Sequence, residues 1–223
     1  MKTKASRRGF TLIELLVVVT IIAMLAGGAY LGFSALLPKF RSKQAATQAK
    51  VIHGWLVSYA TDHGGNFPEG ESANQAYREL FKVNVGADEK QFAISGDAYH
   101  KSAPGGKGEP DGDIGKDPDY TQALEAGECA FAYVSGLSSS DTPRLPLVAN
   151  GFSAQLGVWG KDKTQRGGVF QGKYGVVCRV GGSSVAHDLK EGEYAVKEKY
   201  NGQEVNIFDP GFEGANFTVV NPL

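Results

Sequence analysis

One long apolar run near the start of the chain constrains its fold more than any other feature. The run extends from Phe10 to Leu37, 28 residues in which Glu14 is the only formally charged side chain. The nine residues before it contain no acid and four basic side chains, Lys2, Lys4, Arg7 and Arg8. A helix of that length measures about 42 Å, more than the ~30 Å hydrocarbon core of a bilayer. The sequence therefore predicts a membrane-crossing helix over residues 10–38.

The basic residues before the run predict its orientation. Lys and Arg next to a membrane helix favour the cytoplasmic side, so the chain beyond Pro38 is expected outside the cytoplasm. A cleaved secretory signal peptide is the alternative, because it also begins with basic residues and an apolar run. The run is about twice the usual length of that apolar region, and no A-x-A-like site leads into Pro38. A retained membrane helix is the better interpretation.

Glu14 needs a separate explanation, since acids within membrane helices are usually functional and partnered. It belongs to the stretch GFTLIELLVVV, residues 9–19, which closely resembles the class III signal of type IV prepilins and type II secretion pseudopilins. The resemblance implies that a prepilin peptidase cuts after Gly9 and methylates the new N-terminal Phe10. It also implies that Glu14 meets the Phe10 amine of a neighbouring subunit during assembly.

The same resemblance implies a set of partners and a location. The partners are the prepilin peptidase, identical or homologous pilin-like subunits in a helical filament, an inner-membrane assembly platform, and membrane lipid before assembly. The location is the inner membrane, with a cytoplasmic N-terminus and a periplasmic head, and then a periplasmic or cell-surface filament. Secretion pseudopilus, adhesive pilus and DNA-uptake filament remain alternatives.

Helical periodicity continues beyond the apolar run. Five apolar residues share one helix face, Ile52, Trp55, Leu56, Tyr59 and Ala60. We predict one helix from Phe10 to Asp62, ended by Gly64-Gly65. The predicted divisions are a cleaved leader (1–9), a transmembrane and assembly helix (10–38), an amphipathic half-helix (39–63) and a globular head (64–223).

The head is predicted to be mostly β. Thirty glycines and nine prolines favour a loop-rich domain, and Ser72 with Gln75 forms a capping-box pattern for a short helix over 72–81. The strand-like runs are residues 129–134, 145–149, 169–170, 175–180, 185–187, 194–196, 205–208 and 217–220. The residues Gly181-Gly182-Ser183-Ser184 are predicted to connect two of these runs as a hairpin. The predicted fold class is α+β, a long N-terminal helix packed on an antiparallel sheet, the arrangement of pilin heads.

Two groups of residues are candidates for a bond or a ligand. Cys129 and Cys178 would form a disulfide in an oxidising periplasm, the alternative being two buried reduced thiols. Asp111, Asp113 and Asp117 occupy positions 1, 3 and 7 of a glycine-containing loop, a spacing that can hold calcium. Lys116 within the loop and Gln122 at position 12 oppose this, and a solvated acidic loop is the alternative. No other cofactor is expected.

Composition and motifs argue against nucleic-acid binding and catalysis. Removing residues 1–9 leaves 19 basic and 24 acidic side chains, a net charge of −5 without a basic patch. The stretch from Gly167 to Lys173 resembles a phosphate-binding loop, but Tyr174 replaces the required Ser or Thr. The sequence thus predicts a structural filament subunit without catalytic residues. The alternative is a single-pass, membrane-anchored periplasmic domain that binds or hydrolyses a ligand.

Overall fold

The computed structural model describes residues 10–83, 85–99 and 108–223, with the backbone alone for Ala26 and residues 28–35. The chain divides into two compact units, residues 1–37 and 38–223. The predicted leader with its cleavage residue Gly9 lies outside the described residues.

Helix α1 runs from Leu12 to Asp62, two residues shorter at its start than the sequence predicts. Its end follows from the two glycines after it. Gly64 and Gly65 have φ values of 65° and 90°, a left-handed backbone that glycine adopts without steric cost. The N–H of Gly65 donates to the carbonyl of Ala60 at 2.8 Å, which satisfies one of the last helical acceptors.

Within the second unit, α1 contributes one face to the core. Ile52, Leu56 and Ala60 are fully buried, and Trp55 and Tyr59 pack against the core while staying partly exposed. This is the face that the periodicity predicts. Small side chains line the same helix earlier, at Ala45 and Ala49, and are also fully buried.

Helix α2 (Ala73–Lys82) begins as its capping signal predicts. The hydroxyl of Ser72 accepts a hydrogen bond from the Gln75 N–H at 3.2 Å. The Gln75 side chain reaches back to the N–H of Glu71, at 3.0 Å, one residue before the position of a standard capping box.

In the part of the chain that the structure describes, seven strands follow the helices and form two sheets. They are β1 (Phe131–Ser135), β2 (Pro146–Asn150), β3 (Tyr174–Arg179), β4 (Ser184–Asp188), β5 (Lys197–Tyr200), β6 (Gln203–Asn206) and β7 (Thr218–Val220). Five make an antiparallel sheet in the order β4-β3-β2-β1-β7, and β5 pairs with β6 in a separate hairpin. The predicted α+β class with an antiparallel sheet is therefore confirmed.

Two of the predicted strands are wrong. Val169 and Phe170 are buried apolar residues in a turn, followed at once by Gln171 and Gly172 with positive φ. Residues 194–196 are also not a strand, because Tyr194 has a φ of 46° and regular pairing begins only at Lys197.

Aromatic side chains join the helices to the sheet. The Tyr77 ring on α2 lies 4.9 Å from the Phe92 ring and 5.2 Å from the Tyr133 ring of β1, measured between centroids. Both buried hydroxyls have acceptors, Tyr77 at the Ala132 carbonyl (3.0 Å) and Tyr133 at the Pro68 carbonyl (2.7 Å). The large rings can therefore be buried without leaving a polar group unpaired.

Polar contacts fix α1 against the β3–β4 hairpin, whose turn the sequence places correctly. The Ser184 hydroxyl donates to the Ala46 carbonyl at 2.6 Å, and His53 Nε2 lies 2.8 Å from the Val180 carbonyl. These two contacts hold the edge strand β4 beside the helix.

Candidate functional site

The first turn of α1 is organised by Thr11 and Glu14. The Thr11 carbonyl accepts the first helical bond, from Leu15 N–H at 3.2 Å, which makes Thr11 the N-cap residue. The Thr11 hydroxyl accepts from the Glu14 N–H at 3.3 Å, and the Glu14 carboxylate accepts from the Thr11 N–H at 2.9 Å. These reciprocal bonds are a capping box. A further bond joins the Thr11 hydroxyl to the same carboxylate oxygen at 2.7 Å.

This capping box keeps the segment before α1 out of the helix. Phe10 and Thr11 carry no helical assignment, and the helix starts at Leu12. Glu14 lies four residues after Phe10, the residue on which cleavage would create a new amine.

The side chains after the cap are exposed and apolar. Leu12 is 88% exposed, Phe10 79% and Met24 78%. Other exposed members of this stretch are Ile13, Leu15, Leu16, Val17, Val18, Val19, Ile21, Ile22 and Leu25. Such a continuous apolar surface is unfavourable in water and marks a region that is covered by lipid or by another protein surface.

The three aspartates proposed for calcium do not form a ligand cluster. No group of three or more His, Cys, Asp or Glu side chains able to hold a metal occurs among residues 10–83, 85–99 and 108–223. The Asp111 and Asp113 carboxylates instead accept local backbone bonds, from Asp113 N–H at 2.8 Å and Gly115 N–H at 3.1 Å. Asp117 is exposed. The geometry corresponds to the alternative, a solvated acidic loop.

Two buried acids hold this loop, and neither was identified from the sequence. Glu89 accepts hydrogen bonds from Gly112 N–H at 3.1 Å and Leu124 N–H at 2.7 Å. Glu128 accepts one from Glu125 N–H at 2.6 Å, while its other carboxylate oxygen is buried without a hydrogen bond. Burial raises the pKa of both carboxyl groups, and the mutual repulsion of Glu89 and Glu128 acts in the same direction on the pKa of Glu128.

The disulfide prediction is corrected, because Cys129 and Cys178 are both buried free thiols. The sheet register explains why they cannot join. Cys178 lies on β3 opposite Val148 of β2, which in turn lies opposite Tyr133 of β1. Two strand spacings, about 9.6 Å, thus separate Cys178 from Tyr133, which is more than the roughly 7 Å that a disulfide can span. Cys129 precedes β1 and lies four residues before Tyr133 along the chain, which places it further still from Cys178.

Comparison with family models finds the prokaryotic N-terminal methylation motif at residues 4–30. The chain carries a class III prepilin signal. This signal is the one borne by type IV pilins and pseudopilins, and it supports a pilin-like protein processed as a prepilin. Comparison with curated proteins and with solved structures yields no match.

The prepilin signal covers the capping box and most of the exposed apolar stretch. Among the residues that the structure describes, no helix has both the length and the apolar character needed to span a bilayer. The crossing at residues 10–38 stays a prediction.

Thr11 is the residue of the prepilin signal that the sequence interpretation missed. The pattern Thr-x-x-Glu ahead of an apolar run is itself a recognised sign of a helix start, and it would have identified Thr11 as the partner of Glu14. Glu89 and Glu128 left no comparable pattern, since isolated acids usually lie on the surface.

Proposed function

We propose that the chain is a prepilin, cut between Gly9 and Phe10, N-methylated on Phe10, and assembled through its N-terminal helix into a filament. The filament would be a type II secretion pseudopilus or a related type IV pilus-like fibre. The observation that carries the proposal is the match of residues 4–30 to the methylation motif. The uncovered apolar side chains directly after that cleavage site support it.

Before assembly, residues 10–38 are proposed to lie in the inner membrane. The basic leader would hold the N-terminus in the cytoplasm, and the head would fold in the periplasm. In the filament, neighbouring helices replace lipid around the same apolar side chains. One surface therefore serves both environments, and no large change in the first unit is required on transfer.

Glu14 and the new amine of Phe10 provide the proposed registering contact. Placing an ionised carboxylate in the bilayer interior costs about 3 kcal/mol on insertion scales, and a charged amine pays a comparable cost. Pairing the Phe10 amine of one subunit with Glu14 of the next offsets both costs. An intramolecular pair is the competing arrangement, and it would give no register between subunits.

The proposed role is mechanical, without catalysis, and the proposal includes no nucleic-acid partner. The peptidase, other pilin-like subunits and an assembly platform are its proposed partners.

Intact mass and N-terminal sequencing of membrane-extracted protein test the processing step directly. The expected product begins at Phe10, lacks nine residues and carries one methyl group on its amine. A product that still begins at residue 1, in cells that contain an active prepilin peptidase, would contradict the proposal.

A further inference from the structure

A basic groove lies between α1 and the edge strand β4. Its cavity of about 350 Å³ is lined by Lys43, Ala46 and Lys50 of α1 and by Ser184, Val185 and Ala186 of β4, together with Thr47. Two of these side chains are lysines and none is acidic. Val185 is 44% exposed at the rim. We call this the Lys43–Lys50 groove.

The strand in this groove has a free edge. Among residues 10–83, 85–99 and 108–223, β4 pairs only with β3, since it ends the five-stranded sheet. Arg179 N–H bonds to the Ser183 carbonyl, and bonded pairs alternate along an antiparallel ladder. Val185 and His187 therefore bond toward β3, whereas the backbone N–H and C=O of Ala186 point away from it. The groove thus combines two ammonium groups with unpaired backbone donors and acceptors.

The complementary charge is found in the loop that the aspartates occupy. Residues 109–119, which we call the acidic loop, contain five acidic side chains and a single basic one, Lys116. Asp111, Asp113, Asp117 and Asp119 are all exposed. Asp111 and Asp113 also accept local backbone hydrogen bonds, and the bond from Gly112 N–H to Glu89 holds the loop in place.

The two features lie on different flanks of the same helix. Lys43, Thr47 and Lys50 fall within about 60° on α1, at 100° per residue. A separate cavity is lined by Gln44 and Gln48 together with Glu109 and Pro110 of the acidic loop. These glutamines lie about 110° further round the helix. One molecule therefore displays the groove and the start of the acidic loop on distinct faces, and a heterologous contact between such faces gives an open filament when the rotation between copies does not close a ring.

We propose that the Lys43–Lys50 groove of one copy receives the acidic loop of a neighbouring copy. The inference deepens the proposed function, on which it rests, by naming a head-to-head contact in addition to the helix contact at Glu14. The occupant is a second copy of this chain because the chain itself supplies an acidic loop of matching charge on another face. The positive charge of the groove would also repel a basic partner, which discourages misassembly.

Charge reversal tests the contact in full-length chain produced with its peptidase and assembly platform. Lys43→Glu with Lys50→Glu reverses the charge of the groove. Asp113→Lys with Asp117→Lys changes the side-chain charge of residues 109–119 from −4 to 0 and places ammonium groups at two positions of the loop. Each pair is expected to lower the yield of sheared filaments by about fivefold or more. Combining all four changes in one chain places the new lysines of the loop against the new glutamates of the groove, and the yield should return to within about twofold of the unchanged protein.

Lys163 and Lys199 are exposed and do not line the groove. The double variant Lys163→Glu with Lys199→Glu is the matched control, since it makes the same change in net charge without touching the proposed contact. Unchanged yield in both reversed proteins would overturn the proposal. A combined variant that is as defective as either pair would also overturn the proposal. The groove would then bind an acidic partner of another kind or would only protect the edge of strand β4.

Cross-linking separates failure of this inference from failure of the proposed function. Two tagged copies, one with Lys50→Cys and the other with Asp117→Cys, are treated with a short bismaleimide in membranes. A heterodimer that requires both new cysteines supports the contact, and its absence overturns the contact even if filaments form. Lack of filaments from the unchanged chain contradicts the proposed function instead, while the cross-link still decides the contact.

Discussion

The Glu14 carboxylate accepts two hydrogen bonds from Thr11, one from its N–H at 2.9 Å and one from its hydroxyl at 2.7 Å. Glu14 thus has a role within its own chain before any neighbour approaches, because it caps the helix through which assembly is proposed. A loss of assembly after replacing Glu14 could therefore arise from the lost cap or from the lost charge. The two causes can be separated by the choice of substitution.

Glu14→Ala removes both the cap and the charge, whereas Glu14→Gln keeps an acceptor for the Thr11 N–H and removes only the charge. Both variants should be cleaved after Gly9 and fold their heads normally. If the carboxylate registers subunits by charge, both fail to assemble or assemble slowly. Filament yield from each variant expressed alone is the measurement.

Normal yield from Glu14→Gln, with a defect in Glu14→Ala, would assign Glu14 to capping and remove the charge mechanism. Normal yield from both would leave Glu14 without a role in assembly.

Gly9→Val should accumulate as full-length precursor. A branched side chain beside the scissile bond would obstruct the peptidase, so the variant keeps its basic leader. Gly27→Val is a suitable control, since a side chain added at Gly27 meets no atom within 4 Å and lies away from the cleavage site. The mass of each protein from membranes is decisive. A Gly9→Val product shortened by nine residues would refute the assignment of the cleavage site.

Cys129 and Cys178 should resist alkylation in the folded protein. Burial raises the pKa of Cys129 to about 12 and that of Cys178 to about 11, from an ordinary 9.0. Because the thiolate is the reactive form, its population at pH 8 falls about a thousandfold for Cys129 and about a hundredfold for Cys178. Iodoacetamide labelling followed by mass spectrometry should add nothing to the folded protein and two groups after denaturation without reductant. Finding no labelling after such denaturation would show that a disulfide had formed.

The two buried glutamates, Glu89 and Glu128, are expected to contribute more to the stability of the head in mild acid than at neutral pH. Their folded pKa values are raised, so between the ordinary value of 4.5 and the raised value the folded state binds more protons than the unfolded state. Their contribution to the free energy of unfolding therefore falls as pH rises through the raised folded pKa. Above the raised folded pKa values both carboxyl groups are ionised in the folded state, and the full free-energy cost of burying the two charges then opposes folding.

Glu128→Gln should remove this dependence at one site. Its melting temperature at pH 7 is expected to equal or exceed that of the unchanged protein, and the difference should shrink toward pH 4.5. Glu204→Gln, at an exposed position on β6, is the control and should show no such trend. The melting temperature of Glu128→Gln is compared with that of the unchanged protein at each pH. If the variant is destabilised more at pH 7 than at pH 5, the carboxylate stabilises the head in its charged form.

Local sequence signals predicted the features that local chemistry decides. The face of α1 at Ile52 and Leu56, the cap of α2 at Ser72 and the β3–β4 turn all follow from spacing or turn residues within a few positions. The two strand errors show the limit of that approach. Val169 and Phe170 are apolar because the fold buries them, but the glycines on both sides and the left-handed Gln171 turn the chain instead of extending it.

The site residues divide in the same way. Roles for Gly9, Phe10 and Glu14 can be proposed from a short motif, whereas the state of the cysteines depends on strand order, which brings β2 between them. The buried acids depend on contacts across 35 residues, as between Glu89 and Leu124, and periodicity carries no information over that distance.

The position of β7 has a consequence for the order in which the protein is made and exported. This strand, residues 218–220, pairs with β1, more than 80 residues earlier, and Val219 enters the core beside it. The last backbone groups are also bound, with Leu223 N–H on the Asn74 side chain at 2.8 Å. The sheet therefore cannot close until residue 220 has been synthesised. If the chain is exported as we propose, β1 lacks its last partner until that residue has crossed the membrane, after the N-terminal helix has already entered it.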